Sequence, residues 1–288
     1  MSDHIHRRQN FFYDAIKEKK YGKLPGLVCI ELNVTELCNR KCVFCPRHDP
    51  EIYPNRKLFM SDDVINKLIE QLQINNFKGT ISFSGFGEPL LNPQILDFII
   101  RMKKCLPDCT IEMTTNGDFL TKEKLSIIKD SIDVLIVDCY DGEEQVVERK
   151  EMFDAVNFTK YTLRELWLKE NNNIETQISE WNFNNRSGAV KNISFDIKQK
   201  PCYLPFYKIS IDWNGNIILC CNDWLRQQDN LGSIMETPFY DLWMSDNYKI
   251  IRQHLKDGRR VDSACKNCSV NGTLLGKESV DIVSRHQL

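Results

Sequence analysis

The feature that most constrains this chain is a regular alternation of short apolar runs with helical segments. Four such runs follow one another in the first half of the sequence: LVCIELNVT (27–35), GTISFSGFG (79–87), CTIEMTTNG (109–117) and DVLIVDCYDG (133–142). Between them stand helical patterns, two of which begin after the N-cap candidates Ser61 and Thr121. Alternating strands and helices are typical of a parallel sheet covered by helices, so we predict an α/β fold.

Each of the four runs ends in a polar or glycine-rich segment: NVTELC, SGFGEP, TTNG and CYDG. Ligands of parallel α/β sheets bind at the carboxyl ends of the strands. We therefore expect these four ends to line a single pocket. Further strands are predicted over 160–167 and, with a turn, over 175–188.

The pattern changes at Pro201. The segment CYLPFYKISIDWNGNIILCCNDW (202–224) is typical of a β-hairpin, and its Asn214-Gly215 pair predicts a type I′ turn. A helical stretch over 240–258 and the sequence CKNC (265–268) follow. These features predict a second, small module that carries cysteines.

Composition narrows the class of protein. The formal net charge is -2, which argues against nucleic acid or an anionic membrane as the main partner. We find no signal-peptide pattern and no apolar run of membrane-spanning length, so we expect a cytoplasmic protein. The chain has 12 cysteines, and clustered cysteines in a reducing compartment are more often metal ligands than disulfides.

The first cysteine cluster stands in TELCNRKCVFCP (35–46), where Cys38, Cys42 and Cys45 are spaced C-x3-C-x2-C. A structural zinc site takes four protein ligands, and this loop supplies three. An iron–sulfur cluster with one iron left open fits the spacing better. The open iron would then be available to a substrate.

A second group consists of four cysteines in the last third of the chain: Cys202, Cys220, Cys265 and Cys268. Four thiols that end in a C-x2-C pair could close a tetrahedral zinc site as well as hold an iron–sulfur cluster. The residues alone leave both metals open.

The first cluster, with an aromatic residue (Phe44) before its third cysteine, resembles the signature of the radical S-adenosylmethionine (SAM) superfamily. The resemblance implies a partial parallel (β/α) barrel and a [4Fe–4S] cluster on Cys38, Cys42 and Cys45. It also implies that SAM chelates the open iron and is cleaved reductively to a 5′-deoxyadenosyl radical, which removes a hydrogen atom from the substrate.

The strand ends extend this resemblance. GFGEP (85–89) is similar to the glycine-rich motif that binds the methionine part of SAM, with Gly85, Gly87 and Glu88 as candidate contacts and Phe86 as a departure from the usual glycine pair. TTNG (114–117) offers Asn116 as a contact near the ribose. VDCYDG (137–142) offers Asp138 as a ligand of a ribose hydroxyl.

The C-terminal cysteines resemble the SPASM or shortened twitch module of the superfamily, as found in its aminocyclitol dehydrogenases. This resemblance implies one auxiliary [4Fe–4S] cluster on Cys202, Cys220, Cys265 and Cys268, because too few cysteines remain for two. The adjacent Cys221 points the other way in an extended segment, so we expect it to lie outside that site. The implied domains are an N-terminal arm (1–25), the radical SAM barrel (26–200), the twitch/SPASM module (201–272) and a tail (273–288).

Arg186, in the turn NNRSG, is our candidate for holding or deprotonating the substrate, and Arg47 or His48 could also touch it. We expect a radical SAM oxidoreductase with two [4Fe–4S] clusters and SAM, which oxidises a secondary alcohol of a sugar, nucleotide sugar or cyclitol. A flavodoxin or ferredoxin is the expected electron donor.

Three alternatives stay open at this point. A carbohydrate epimerase would need a thiol at the pocket, for which Cys139 and Cys221 are candidates. A peptide-modifying SPASM maturase usually carries a larger N-terminal recognition domain than the 37 residues before Cys38. A non-catalytic iron–sulfur or zinc protein would not need the polar ends of the other strands.

Overall fold

The computed structural model describes residues 2–167, 177, 181, 183–197 and 199–287 of the 288-residue chain. Its centre is a seven-stranded sheet. Across the described residues, no helix combines the length and the apolar character that crossing a membrane requires.

The sheet is mostly parallel and open. Its spatial order is β5-β4-β3-β2-β1-β6-β7; the pairs from β5 through β1 to β6 are parallel and only β6 and β7 are antiparallel. The strands are β1 (Cys29–Asn33), β2 (Thr80–Ser84), β3 (Thr110–Thr115), β4 (Val134–Cys139), β5 (Tyr161–Glu165), β6 (Lys208–Ile211) and β7 (Ile217–Ile218). This confirms the predicted α/β fold with a partial (β/α) barrel.

Helices alternate with the first five strands and then form the C-terminal part. They are α1 (Ser2–Lys17), α2 (Asp62–Ile74), α3 (Ile95–Cys105), α4 (Lys122–Ile128), α5 (Glu143–Ala155), α6 (Leu204–Tyr207), α7 (Phe239–Trp243), α8 (Asp246–Lys256) and α9 (Lys277–Gln287). The predicted strand over 175–188 is wrong where the structure describes these residues, because residues 183–185 have no regular secondary structure and residues 186–188 form a single 3-10 turn. Residues 175, 176, 178–180 and 182 lie outside the described residues.

The predicted helix starts follow from local chemistry. Ser61 is extended directly before α2, and two aspartates in the first turn complement the helix dipole. The Thr121 hydroxyl accepts the Lys124 amide at 3.3 Å at the start of α4. One face of α2 is buried through Val64, Ile65, Leu68, Ile69 and Leu72. Burying each such side chain contributes roughly 1.5–3 kcal/mol.

The two faces of the sheet differ in chemistry because side chains alternate along each strand. One face is apolar and fully buried, as at Ile30, Leu32, Ile81, Phe83, Ile111 and Met113. The other face is polar: the Ser82 hydroxyl donates to Glu112 (2.8 Å), the Ser84 hydroxyl donates to Glu31 (3.0 Å), and Lys208 forms a buried ion pair with Glu31. The polar face leads up to the strand ends, where the functional site lies.

The predicted C-terminal hairpin is not separate from the barrel, because β6 pairs with β1 in the same sheet. The predicted type I′ turn is wrong. Gly215 has a positive φ (87°) whereas Asn214 does not, and the Gly215 amide donates to the Asp212 carbonyl at 2.9 Å. A type I turn followed by a left-handed glycine fits this pattern, and it is the usual form of a three-residue hairpin loop.

The predicted helical stretch over 240–258 forms two helices, since the Ser245 hydroxyl caps the start of α8 by accepting the Tyr248 amide. Two buried side chains anchor this region. The Trp243 indole donates to the Pro25 carbonyl at 2.9 Å, and the Arg252 guanidinium stacks 3.9 Å from the Trp243 ring while it donates to the Trp243 and Pro205 carbonyls. These contacts tie α7 and α8 to each other, to α6 and to the segment before β1.

Candidate functional site

The loop between β1 and α2 carries the first cysteine group at the carboxyl end of the sheet. Cys38, Cys42 and Cys45 line one pocket of about 210 Å³. The Cys45 amide donates to the Cys42 carbonyl at 2.9 Å, which curls the loop. Burial raises the pKa of all three thiols, that of Cys42 to about 12. A bound cation would therefore favour the thiolate forms of these cysteines.

Asn55 fixes the first of these cysteines. Its amide oxygen accepts the Cys38 N–H at 2.9 Å, and its amide nitrogen donates to the Cys38 carbonyl at 3.0 Å. The Arg47 guanidinium donates to Asn55 (2.9 Å) and to the Phe86 carbonyl (2.6 Å), so it links the cysteine loop to the glycine-rich loop. Sequence reasoning missed Asn55, because an asparagine in a polar loop carries no distinctive signal.

The other predicted loop contact, His48, is exposed. Its Nδ1 lies 3.2 Å from the Lys41 carbonyl, and it does not belong to the residues that line the pocket. Arg47 lines the pocket but is engaged with protein partners. Of the two, only Arg47 stays a candidate substrate contact.

The glycine-rich loop after β2 fits tightly against the cysteine loop. A β-carbon on Gly87 would lie 2.2 Å from the Thr35 carbonyl oxygen, and Gly85 has a φ of 105°. Only glycine allows this approach and this backbone conformation without strain. The Phe86 amide donates to the Asn33 side chain at 3.0 Å. The two glycines therefore let the backbone of GFGEP pack directly against Asn33 of β1 and against Thr35.

Glu88 is buried at the centre of the site. Its carboxylate accepts hydrogen bonds from the Thr115 hydroxyl (2.6 Å), the Asn116 amide (2.8 Å) and the Leu90 amide (3.0 Å). Burial nevertheless raises its pKa to about 7, against the lowering effect of these donors. The Asn116 side chain donates to Asn39 in the cysteine loop at 2.8 Å. Glu88 and Asn116 therefore tie the ends of β2 and β3 to that loop.

Asp138 lies at the end of β4 in an ion pair that sequence reasoning missed. Arg164 of β5 donates to both carboxylate oxygens, at 2.5 and 2.8 Å, and the Tyr140 hydroxyl lies 3.3 Å away. All three side chains line the pocket. A ribose hydroxyl at Asp138 would therefore meet a carboxylate that an arginine already holds in place.

Aromatic rings form one wall of the pocket. Phe44 stacks on Phe183 with 4.5 Å between ring centroids and also contacts Tyr140 and Trp181. Arg186 lies over Phe183 at 5.8 Å and donates to the Asn222 side chain at 3.0 Å. The guanidinium of Arg186 is thus held at the pocket by an aromatic face and by an amide close to Cys220.

A buried ionic network joins β1 and the segment after it to the hairpin; its members, Arg226, Glu36, Asp212, Asn33 and Tyr53, are referred to below as the Arg226 network. Arg226 pairs with both Glu36 and Asp212 and donates to the Tyr53 hydroxyl at 2.9 Å. Asn33 donates to Glu36 (2.9 Å) and to Asp212 (2.7 Å). Since Asn33 also accepts the Phe86 amide, the network connects the glycine-rich loop to the C-terminal part.

The structure brings all the predicted residues of the first site together. One pocket is lined by Cys38, Cys42, Phe44, Cys45, Gly85, Gly87, Glu88, Asn116, Asp138 and Arg186. They come from five separate segments of the chain, as expected if the strand ends converge. Their individual roles stay predictions.

The second cysteine group converges on a different cavity. Cys202, Cys220, Cys265 and Cys268 are all buried and line it together with Ser187 and Arg260. A β-carbon on Gly272 would lie 2.3 Å from the Cys202 sulfur. Arg260 donates to the Cys268 carbonyl at 3.1 Å and to two other carbonyls, and so holds the loop around the cavity.

The thiols that an epimerase would need lie elsewhere. Cys139 is fully buried and is not among the described residues that line the first pocket. Cys221 lines a third cavity, of about 410 Å³, at the amino-terminal end of the strands with Cys29 and Lys208. This agrees with the expectation that Cys221 faces away from the second cysteine site, and it removes the observation that favoured epimerisation.

Comparisons with known proteins agree with these two sites. The model of the radical SAM superfamily matches residues 32–155, and that of the SPASM iron–sulfur cluster-binding domain matches residues 202–269. The chain carries a radical SAM domain followed by a SPASM domain. It is 29% identical, over 88% of its length and 97% of the relative's, to the S-adenosyl-L-methionine-dependent 2-deoxy-scyllo-inosamine dehydrogenase of Niallia circulans.

One further relative and two solved structures are also similar to this chain. It is 26% identical to GTP 3′,8-cyclase of Lactiplantibacillus plantarum over 51% of its own length and 47% of the relative's. The crystal structure of BtrN in complex with AdoMet and 2-DOIA superposes with a TM-score of 0.69 and 27% identity, covering 88% of this chain and 96% of that one. The anSMEcpe structure with bound AdoMet (TM-score 0.55, 11% identity, 91% and 92% covered) shares the fold.

The radical SAM and SPASM domains imply SAM and [4Fe–4S] clusters as cofactors, and the residues present fit them. The first site supplies three thiols beside a glycine cradle, and the second supplies four buried thiols around one cavity. Within the described residues, no three histidine, cysteine or carboxylate side chains have the geometry to hold a single metal ion. Each cysteine of a [4Fe–4S] cluster binds a different iron, so convergence on one cavity is the relevant criterion.

Proposed function

We propose that this radical SAM protein oxidises a secondary alcohol of a sugar, nucleotide sugar or cyclitol to a ketone. The observation that carries the proposal is one short turn. Arg186 of this turn lines the pocket of the first cysteine group, and the next residue, Ser187, lines the cavity of the second. The similarity along most of the chain to a dehydrogenase that acts on a cyclitol supports the same reaction.

The cofactor-binding residues are assigned as follows in this proposal. Cys38, Cys42 and Cys45 would hold the first cluster, and SAM would bind beside it. The residues around SAM are Phe44, Gly85, Gly87, Glu88, Asn116 and Asp138. Cys202, Cys220, Cys265 and Cys268 would hold the auxiliary cluster in the module over 201–272, whose strand β6 extends the barrel sheet. This module follows the arm (1–25) and the barrel (26–200) and precedes the tail (273–288).

The oxidation removes one hydrogen atom, one proton and one electron from the alcohol. When bound, SAM and the first cluster supply a 5′-deoxyadenosyl radical for hydrogen-atom abstraction, and the auxiliary cluster supplies an acceptor for the electron. The protein's own part is to hold the alcohol and to favour release of its hydroxyl proton to water. Arg186 is suited to this because its guanidinium stabilises the developing alkoxide and binds neighbouring hydroxyls.

The guanidinium of Arg186 has a fixed place for this role. It is held by the Asn222 side chain and the Phe183 ring, so few conformations are lost when substrate binds. The aromatic wall of Phe44, Tyr140 and Phe183 excludes water from that side of the pocket. A flavodoxin or ferredoxin is the proposed source of the electron that starts each turnover.

The test is deuterium transfer. Anaerobically reconstituted, reduced protein is incubated with SAM and a panel of sugars, nucleotide sugars and cyclitols deuterated at single carbinol carbons. The proposal expects deuterium in 5′-deoxyadenosine and a ketone at the same carbon for at least one compound. Deuterium transfer without a ketone at the labelled carbon, or SAM cleavage that leaves every alcohol unchanged, would refute it.

A further inference from the structure

Ser187 places a buried hydroxyl beside the second cysteine group. Its side chain is 3% exposed, and its Oγ has no hydrogen-bond partner among the residues that the structure describes. The same side chain lines the cavity formed by Cys202, Cys220, Cys265 and Cys268. A buried hydroxyl without a partner is costly, so its retention points to a partner that the protein alone does not provide.

The backbone that positions this hydroxyl is in an unfavourable conformation. Arg186 and Ser187 both have positive φ angles, 48° and 55°, in a conformation that side chains with a β-carbon rarely adopt. Asn185 fixes the turn to the CKNC segment: the Asn185 amide donates to the Ser269 hydroxyl (2.9 Å), and the Ser269 amide donates to the Asn185 side chain (3.0 Å). Ser187 is therefore clamped to the segment that carries Cys268.

The chemistry of the cavity decides which way the hydrogen bond runs. Cysteine thiolates and inorganic sulfides accept hydrogen bonds and cannot donate them, whereas a serine hydroxyl can donate one. Four cysteines already supply a complete set of ligands for a [4Fe–4S] cluster. Ser187 is thus not needed as a ligand, and its hydroxyl faces acceptors.

We propose that the Ser187 hydroxyl donates a hydrogen bond to a sulfur of the auxiliary cluster and thereby raises its reduction potential. The reduced cluster carries one more negative charge than the oxidised cluster, so a donor at its sulfur stabilises the reduced form more. The serine keeps its proton, and the electron from the substrate stays on the cluster. This inference rests on the proposed function insofar as the four cysteines hold an iron–sulfur cluster that accepts an electron.

The test measures the potential of the auxiliary cluster alone. Cys38, Cys42 and Cys45 are replaced by alanine, which leaves one cluster per chain, and Ser187→Ala and Ser187→Gly are compared in this background. Glycine removes the hydroxyl and also suits the left-handed backbone, so it guards against misfolding. Ser279→Ala, which removes a buried hydroxyl from α9 outside the cavity, is the matched control.

We expect both Ser187 variants to retain their iron and to lower the reduction equilibrium constant about tenfold, which is about 59 mV for one electron. EPR-monitored redox titration measures this shift, and the control variant should show none. An unchanged potential in both variants overturns the proposal. So does loss of the cluster from both, because Ser187 would then be needed for assembly rather than for tuning.

The redox titration tests the role of Ser187 separately from the proposed alcohol oxidation, because the titration uses neither SAM nor substrate. A protein that shows the shift but oxidises no alcohol refutes the proposed function alone. A protein that oxidises an alcohol with an unshifted potential in the variants refutes this inference alone.

Discussion

Replacing Arg226 by methionine tests whether the C-terminal part of the chain organises the SAM pocket. Arg226 lies 190 residues from Glu36 in sequence and pairs with it and with Asp212, whose side chains are only 3% and 4% exposed. Methionine retains most of the aliphatic volume but removes the cation. Two buried carboxylates would then lie close together, and the remaining cation beside them among the described residues would be Arg47, which lies 3.7 Å from Glu36.

The expected loss of folding stability follows from the burial of the Glu36 and Asp212 carboxylates. Breaking a buried ion pair by removing one partner costs about 3–5 kcal/mol. The Arg226 side chain is itself 32% exposed, which lets water screen the carboxylates, so we expect a loss of about 2–3 kcal/mol. At about 2–4 °C per kcal/mol for a domain of this size, Tm should fall by about 4–12 °C.

The assay is thermal unfolding of the reconstituted protein, followed by equilibrium dialysis with SAM. SAM affinity should also fall, because the network holds Asn33, which accepts the Phe86 amide of the glycine-rich loop. Arg259→Met is the control: Arg259 is 54% exposed and pairs with Asp257 at the surface, so the loss should stay within about 0.5 kcal/mol.

A rescue experiment separates charge from packing. Adding Glu36→Gln and Asp212→Asn to Arg226→Met removes the unpaired charges, and part of the lost stability should return. A loss of Tm in Arg226→Met no larger than that in Arg259→Met would refute the reasoning. Unchanged SAM affinity would refute the link to the glycine-rich loop.

Three further predictions concern the cofactor sites. Gly87→Ala should weaken SAM binding at least tenfold, about 1.4 kcal/mol, because the new β-carbon would lie 2.2 Å from the Thr35 carbonyl; equal affinity in equilibrium dialysis would contradict this. Since burial raises the pKa of Glu88 to about 7, its carboxylate forms as pH rises through that value, and SAM, which carries an ammonium group, should bind more tightly over roughly one pH unit on either side. Glu88→Gln should flatten this dependence, and an unchanged pH profile would exclude Glu88 as its source. Cys265→Ala with Cys268→Ala should lower the iron content by about four atoms per chain; loss of zinc instead would exclude an electron-accepting cluster.

The sequence predicted the parts of the site that depend on local spacing. Each of these parts lies within a short segment: the interval from Cys38 to Cys45, the glycines of GFGEP, and the polar ends of β3 and β4. Parallel strands bring such segments to one edge of the sheet. The same logic found the turn at Arg186. These residues converge on one pocket because the sheet aligns the strand ends.

What the sequence could not predict depends on contacts between distant segments. Asn55, Arg164 and Arg226 act through partners that lie 17, 26 and 190 residues away, and each stands in an ordinary polar segment. The placement of β6 beside β1 is of the same kind, because its apolar pattern fits an isolated hairpin as well as a barrel strand. The turn at Gly215 was mistaken because one left-handed residue, rather than two, suffices for a three-residue loop.

The most direct test of the proposed dehydrogenation is product analysis in deuterium oxide with the substrate that the labelled panel identifies. We predict one ketone for each 5′-deoxyadenosine formed and no solvent deuterium at the reacting carbon, because the electron leaves the substrate and no hydrogen atom returns. An unoxidised product that carries solvent deuterium at that carbon would show that the radical is quenched, and would contradict the proposed function.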